Sequence, residues 1–167
     1  MLEMTRKGEH WYTVVYGLVM AYGQILRNEC IESDTFEVGA RVRESLRISA
    51  DVFNVWEKCL ESIDWPSGEK YPNEEDFLSQ PIDWDAESKT ELSESRWLSF
   101  AAQLIQMGER RDQIARAFLD TAIEMLICDS NLDRQGNFWT RGILLSKAEY
   151  FRELCEELAS IENRAKE

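Results

Sequence analysis

The residues able to do chemistry in this chain are above all acids: 32 Asp and Glu stand against 19 Lys and Arg, one histidine and four cysteines. Paired carboxylates come first. Asp120/Glu124 and Glu149/Glu153 have the i,i+4 spacing with which helices of a bundle hold metal ions. That pattern would serve a small helical metal-dependent hydrolase. The apolar residues around both pairs assign them to the solvent side, so the hydrolase is the least favoured of three readings.

Asp129-Ser-Asn131-Leu-Asp133 matches the opening ligand positions of a calcium loop, but the match fails further on. Arg134 stands where the sharp turn needs glycine, and Thr140 where a bidentate Glu closes the site. A polar helix connection accounts for the stretch. Cys30, Cys59, Cys128 and Cys155 are widely separated, with no CxxC and no histidine at ligand spacing. They read as four buried or half-buried reduced thiols in a cytoplasmic protein. His10, the one histidine, has no nucleophile motif beside it. There is no phosphate loop, dinucleotide fingerprint or HExxH. No metal, cofactor or catalytic residue is therefore expected, and the chain reads as a non-enzyme.

Charge is more informative than motif. Residues 1–63 carry 7 basic and 10 acidic side chains, residues 64–94 carry 2 and 10, and residues 95–167 carry 10 and 12. The balances are −3, −8 and −2, so most of the net −13 sits in the middle segment. An acidic surface repels phosphate backbones and anionic membranes and attracts basic proteins. Direct nucleic-acid binding and membrane association are thus disfavoured. The favoured partner is a basic protein or nucleoprotein.

Residues 64–94 also break every periodicity. They hold all three prolines, and Trp65, Tyr71, Phe77, Ile82 and Trp84 are spaced among carboxylates. Aromatic residues interleaved with acids suit an interface, with rings as anchors and charges at the rim. Glu74, Glu75, Asp76, Phe77, Asp83, Trp84 and Asp85 are the candidate partner-binding residues. The leading functional expectation is an interaction protein that binds, and inhibits or regulates, a basic partner. A nucleic-acid mimic, as in phage inhibitors of host defence, is the specialised alternative.

The elements that must position these residues are helical. Trp11–Leu26 is sixteen residues without a formal charge, which predicts a central helix covered on more than one side. It is too short and too polar to span a membrane. Gly17 and Gly23 inside it suggest close approach of a neighbour. Asp34 with Glu37 resembles a capping box for a second helix. That helix carries Val38, Val42, Leu46, Ser49, Phe53, Trp56 and Leu60 at helical spacing, and it should form a hairpin with the first. Arg41, Arg43 and Arg47 read as part of a solvated mixed-charge face.

A capping box at Ser88–Glu91 starts the third helix near Thr90, with Trp97, Phe100, Ala101, Leu104 and Ile105 inward. Gly108 fits its C-terminal turn. The fourth helix runs from about Glu109 to Cys128, and a loop follows over residues 129–142. The last helix starts near Thr140 or Ile143, with Leu144, Ala148, Phe151, Cys155, Leu158 and Ile161 inside and Lys147 among the outward charges. The expected fold is all-α: one domain over residues 1–167, about five helices in a single bundle. It divides into a hairpin (7–63), an acidic insertion (64–94) and a three-helix block (95–167).

Overall fold

The computed structural model describes residues 11–33, 35–63, 86–132 and 134–165. They form five helices: α1 (Trp11–Glu32), α2 (Phe36–Glu61), α3 (Ala86–Gln106), α4 (Arg111–Leu132) and α5 (Arg134–Ala165). Among the described residues there is no strand, and the all-α bundle expected from the apolar spacing is what the chain adopts. The acidic segment between α2 and α3 lies almost wholly outside the described residues.

α1 is the axis. Val14, Val15, Leu18, Val19, Ala21, Tyr22, Ile25 and Leu26 are all buried, so the helix is covered on several sides, as its lack of charge requires. It contacts all four other helices, most extensively α3 and α4, while α2 packs chiefly on α5. The pairing of α2 with α1 is less extensive than that with α5. The physical reason is size: Phe53 on α2 and Phe151 on α5 are both fully buried, with ring centroids 5.5 Å apart. Tyr22 of α1 meets the same Phe151 ring edge-on at 5.5 Å. These three rings form the middle of the core.

Side-chain pairs give the helix directions. Tyr22 bonds Ser49, and Glu29 pairs with Arg41, so α2 runs antiparallel to α1. Glu32 at the end of α1 pairs with Arg111 at the start of α4, which sets α4 antiparallel as well. Met20 meets Lys147, Gly23 meets Tyr150 and Arg27 meets Glu157, so α5 runs parallel to α1. Both interior glycines of α1 have the close neighbour they imply. A Cβ on Gly17 would lie 2.2 Å from Ser93 Oγ and 2.9 Å from its backbone carbon, and one on Gly23 would lie 2.6 Å from the Tyr150 hydroxyl.

Several boundaries differ from expectation. α1 continues past Leu26 to Glu32. The N-cap of α2 is Thr35, with no side-chain capping bond; Asp34, expected as the cap, lies outside the described residues. Ser88–Glu91 falls inside α3, which begins at Ala86. Gly108 behaves as expected: at φ 98° it takes the left-handed conformation, and its N–H and that of Glu109 close onto Ile105 and Leu104 at 3.0 Å.

The largest correction concerns residues 129–142. They are not a loop: α4 runs to Leu132 and α5 resumes at Arg134, either side of Asp133. Gly136 allows the joint, because a Cβ there would lie 2.0 Å from the Asp129 carbonyl oxygen. Asn137 then anchors the first turns of α5 by donating its amide to Leu60 O at 3.4 Å. Asp, Asn and Gly favour turns locally, but the tertiary contacts decide the conformation.

Candidate functional site

Glu74, Glu75, Asp76, Phe77, Asp83, Trp84 and Asp85 lie outside the described residues, as does His10. What the described helices add is the disposition of charge on the bundle itself. Nine arginines pair with carboxylates of the same chain: Arg27, Arg41, Arg43, Arg47, Arg110, Arg111, Arg116, Arg141 and Arg152. Arg41, Arg43 and Arg47, the basic group of α2, are answered by Glu29, Glu162 and Glu44. Six of the nine pairs join different helices and so tie the bundle together. Arg141 illustrates this: its Nε lies 3.1 Å from the buried Glu57 carboxylate and its Nη2 3.8 Å from Glu61.

The acids are disposed differently. Asp120, Glu124, Glu149, Glu153 and Glu156 are exposed on the outer faces of α4 and α5. Glu149, Glu153 and Glu156 share one side of α5 at successive turns. The two carboxylate pairs noted for their metal-type spacing therefore face solvent from different helices. Among the described residues no three His, Cys, Asp or Glu side chains gather in metal-binding geometry. Asp129–Leu132 is the last turn of α4 rather than part of a calcium loop, and Asp133 lies outside the described residues.

The cysteines are all free thiols. Cys30 and Cys155 are half-buried, whereas Cys59 and Cys128 are exposed, contrary to the expectation that all four are covered. Burial pushes the Cys30 and Cys155 thiols up, which makes them poorer nucleophiles. Cys155 donates its S–H to the Arg43 carbonyl at 3.3 Å.

Two features escape a reading of the sequence. The first is Lys147, which falls among the charges expected outside but is only 6% exposed. Its ammonium donates to Met20 Sδ at 3.4 Å, 4.0 Å from the centroid of the Tyr16 ring and 5.5 Å from that of Tyr150. Burial lowers its pKa from 10.5 to about 8, against a smaller opposing pull from the Glu94 carboxylate. Burial, with the Glu94 charge second, pushes Tyr150 up to about 12. Gln24 tempers that rise, yet the Tyr150 hydroxyl makes no hydrogen bond of good geometry. The Thr13, Ser93 and Thr140 hydroxyls, on α1, α3 and α5, are also buried without a hydrogen-bond partner.

The second is a groove. α2 and α4 both rest on α1 and pack little on each other. Between their N-terminal halves is an open cleft of about 330 Å³, floored by Tyr22 and Leu26 and walled by Val42 and Ile48 on one side and Leu119 on the other. Ile48 is itself exposed, as are Val52 and Val55 further along α2. A signal for this second stripe exists in the sequence, since these residues recur at spacings of four and three, but the deeper stripe through Leu46, Phe53 and Leu60 dominates the pattern.

No family model, curated protein or solved structure matches the chain.

Proposed function

We propose that this chain is a non-enzymatic acidic interaction protein that binds and inhibits or regulates a basic protein or nucleoprotein. The observation that supports this reading is the use of charge in the bundle. Nine arginines are held against the chain's own carboxylates, while the net charge is −13. The surplus of acid is therefore available to a partner, and the −8 of residues 64–94 is its densest part. Such a field speeds the encounter with a cationic surface and fixes its orientation. Phe77 and Trp84 are the anchors in this reading, and Glu74, Glu75, Asp76, Asp83 and Asp85 the charges around them.

The exposed row Glu149, Glu153 and Glu156 favours a stricter version in which carboxylates stand in for phosphates and occupy a partner's nucleic-acid groove. The two versions separate by competition: a mimic is displaced by duplex DNA or RNA, and an ordinary acidic ligand is not.

The test is a pull-down from native lysate at low and high salt, with wild-type protein and with Glu74, Glu75 and Asp76 all changed to Lys. The expected result is a basic partner retained at low salt by wild type, released by high salt, and lost in the variant while its melting temperature is unchanged. A variant that retains the same partner removes the acidic segment from the interface. A lysate with no salt-sensitive partner removes the reading as a whole.

A further inference from the structure

α3 and α4 are consecutive in the chain, yet they pack little on each other; both lean on α1. Between the C-terminal half of α3 and the N-terminal half of α4 this leaves an open cavity of about 350 Å³. Leu18 of α1 is its floor, and three rings line it: Trp97, Phe100 and Phe118. Phe100 and Phe118 lie nearly parallel, with 12° between their planes, and Trp97 stands across them at 74° and 66°. The ring centroids are 5.4, 6.3 and 6.4 Å from one another. A single cation can therefore lie within about 6 Å of all three, the reach of a cation–π contact. Phe118 is buried in the core, whereas Phe100, expected inward from its spacing, is 46% exposed.

Charge around this cavity has one sign. No Lys or Arg lines it, and its one charged residue is Glu109, exposed in the turn between the two helices. The neighbouring bases are committed elsewhere, Arg110 to Asp112 and Arg111 to Glu32. None of the described bases pairs with Glu109. An unanswered carboxylate thus stands beside aromatic faces, within a chain of net charge −13. That combination suits a cation.

The remaining lining selects the kind of cation. A primary ammonium has three N–H donors, and each needs an acceptor once water is stripped away. Besides Glu109 the polar side chains are only Gln113 and Thr121, and the Thr121 hydroxyl is turned back onto the Ala117 carbonyl at 2.8 Å. A fully methylated ammonium has no donor to satisfy, and aromatic faces hold it well.

We infer that the α3–α4 cavity is an aromatic cage for a methylated ammonium, carried by a trimethyllysine side chain of the basic partner. Trp97, Phe100 and Phe118 meet the methyl groups, and Glu109 supplies the counter-charge. The inference rests on the reading that the partner is a basic protein, and it names a side chain by which that partner is recognised.

The probes are a short lysine-rich peptide with one trimethyllysine, its unmethylated twin, and a twin carrying the neutral tert-butyl isostere. Calorimetry with the full chain should show the trimethylated peptide binding at least about tenfold more tightly than either twin. Methyl NMR should place it by shifts at Leu18, Leu104 and Ile114. Phe100→Leu keeps apolar bulk at an exposed position, and Glu109→Gln keeps shape in an exposed turn, so thermal melts should find both folded. Phe100→Leu should weaken the trimethylated peptide about five- to tenfold, and Glu109→Gln about threefold. Phe36→Leu, at a 63% exposed ring on α2, should bind as wild type does.

Equal binding of the three peptides, shifts centred elsewhere, or unchanged affinity in Phe100→Leu would overturn the inference. So would free choline binding as tightly as the peptide, which would assign the cage to a small quaternary amine. A salt-sensitive lysate partner without any preference for the methylated peptide sinks the cage alone. A methyl preference in a chain that retains no salt-sensitive partner upholds the cage and sinks the functional reading instead.

Discussion

The ammonium of Lys147 lies 4.0 Å from the centre of the Tyr16 ring and has a thioether, Met20 Sδ, as its hydrogen-bond acceptor. A thioether is a weak acceptor. The aromatic face supplies about 1–2 kcal/mol, which does not offset the loss of water around a buried charge. Lys147 is therefore a source of instability within the core.

Replacing it should stabilise the protein. In the folded state the amine has a pKa of about 8, against 10.5 unperturbed. Between those values the unfolded chain binds the extra proton, so this residue makes stability rise with pH from about 8 towards 10.5. Below pH 8 both states are charged and the full penalty applies. Lys147→Met should raise stability at pH 7 by about 1–3 kcal/mol, the upper end applying if the amine is fully shut from water. The difference between wild type and variant should shrink across pH 8 to 10.5. Denaturant titrations at pH 7, 9 and 10.5 measure it, and a variant less stable than wild type at pH 7 would refute the argument.

The core of α2 gives a graded pair. Phe53 is fully buried between α1 and α5, whereas Trp56 is only half-buried at the edge of the same cluster. Phe53→Ala should cost about 3–5 kcal/mol by lost burial and an unfilled cavity. Trp56→Ala should cost less, about 1–2 kcal/mol, because solvent already reaches part of its ring. Thermal melts of both variants test the order, and equal losses would show that Trp56 is as central as its spacing with Phe53 and Leu60 suggests.

Two glycines should respond in opposite directions to alanine. Gly17 in α1 leaves no room, since its Cβ would meet the Ser93 side chain and backbone. Gly142 in α5 is exposed, with nothing within 4 Å of its would-be Cβ. Gly142→Ala should stabilise by about 0.5–1 kcal/mol through helix propensity. Gly17→Ala should destabilise by about 1–3 kcal/mol as α3 is pushed away. Denaturation midpoints that move in the same direction would contradict the close packing of α1 on α3.

Arg141 holds the one buried carboxylate among the described ion pairs, Glu57 at 3.1 Å. Arg141→Leu strands that carboxylate and should cost about 3–5 kcal/mol. The double change Glu57→Leu with Arg141→Leu should recover most of the loss, since two apolar groups replace a pair whose desolvation nearly cancels its attraction. A double-mutant cycle by chemical denaturation gives the coupling directly.

Much of this fold is legible in the sequence because apolar spacing survives packing. Val42, Leu46, Phe53 and Leu60 recur at helical intervals and are buried; Ile114, Phe118, Leu144 and Phe151 behave in the same way. The start of α5 at Arg134 is not legible, because its anchor is distant: the Asn137 bond to Leu60 lies 77 residues away in sequence. Lys147 is hidden for a related reason. Lysine belongs in water by default, and only the packing of Tyr16, Met20 and Tyr150 around it, from α1 and from α5 itself, turns it inward. The exposed row Ile48, Val52 and Val55 is visible only once Leu46 and Phe53 are known to point elsewhere.

The remaining prediction concerns how a partner binds residues 74–85. If Glu74, Glu75 and Asp76 form the rim of the interface and Trp84 an anchor, the two kinds of residue should separate kinetically. Rim charges act on diffusional encounter and are screened beyond about 8–10 Å at physiological ionic strength. Changing all three acids to Lys should therefore slow association about tenfold or more at low salt, with a much smaller effect at high salt. An anchor acts on the bound state, so Trp84→Ala should speed dissociation and leave association nearly unchanged. Surface plasmon resonance with the captured partner at two salt concentrations resolves both constants. Each variant also needs a thermal melt. If charge reversal leaves association unchanged and Trp84→Ala sharply lowers the melting temperature, Trp84 belongs to the fold, and the search for the interface moves to the α3–α4 cavity.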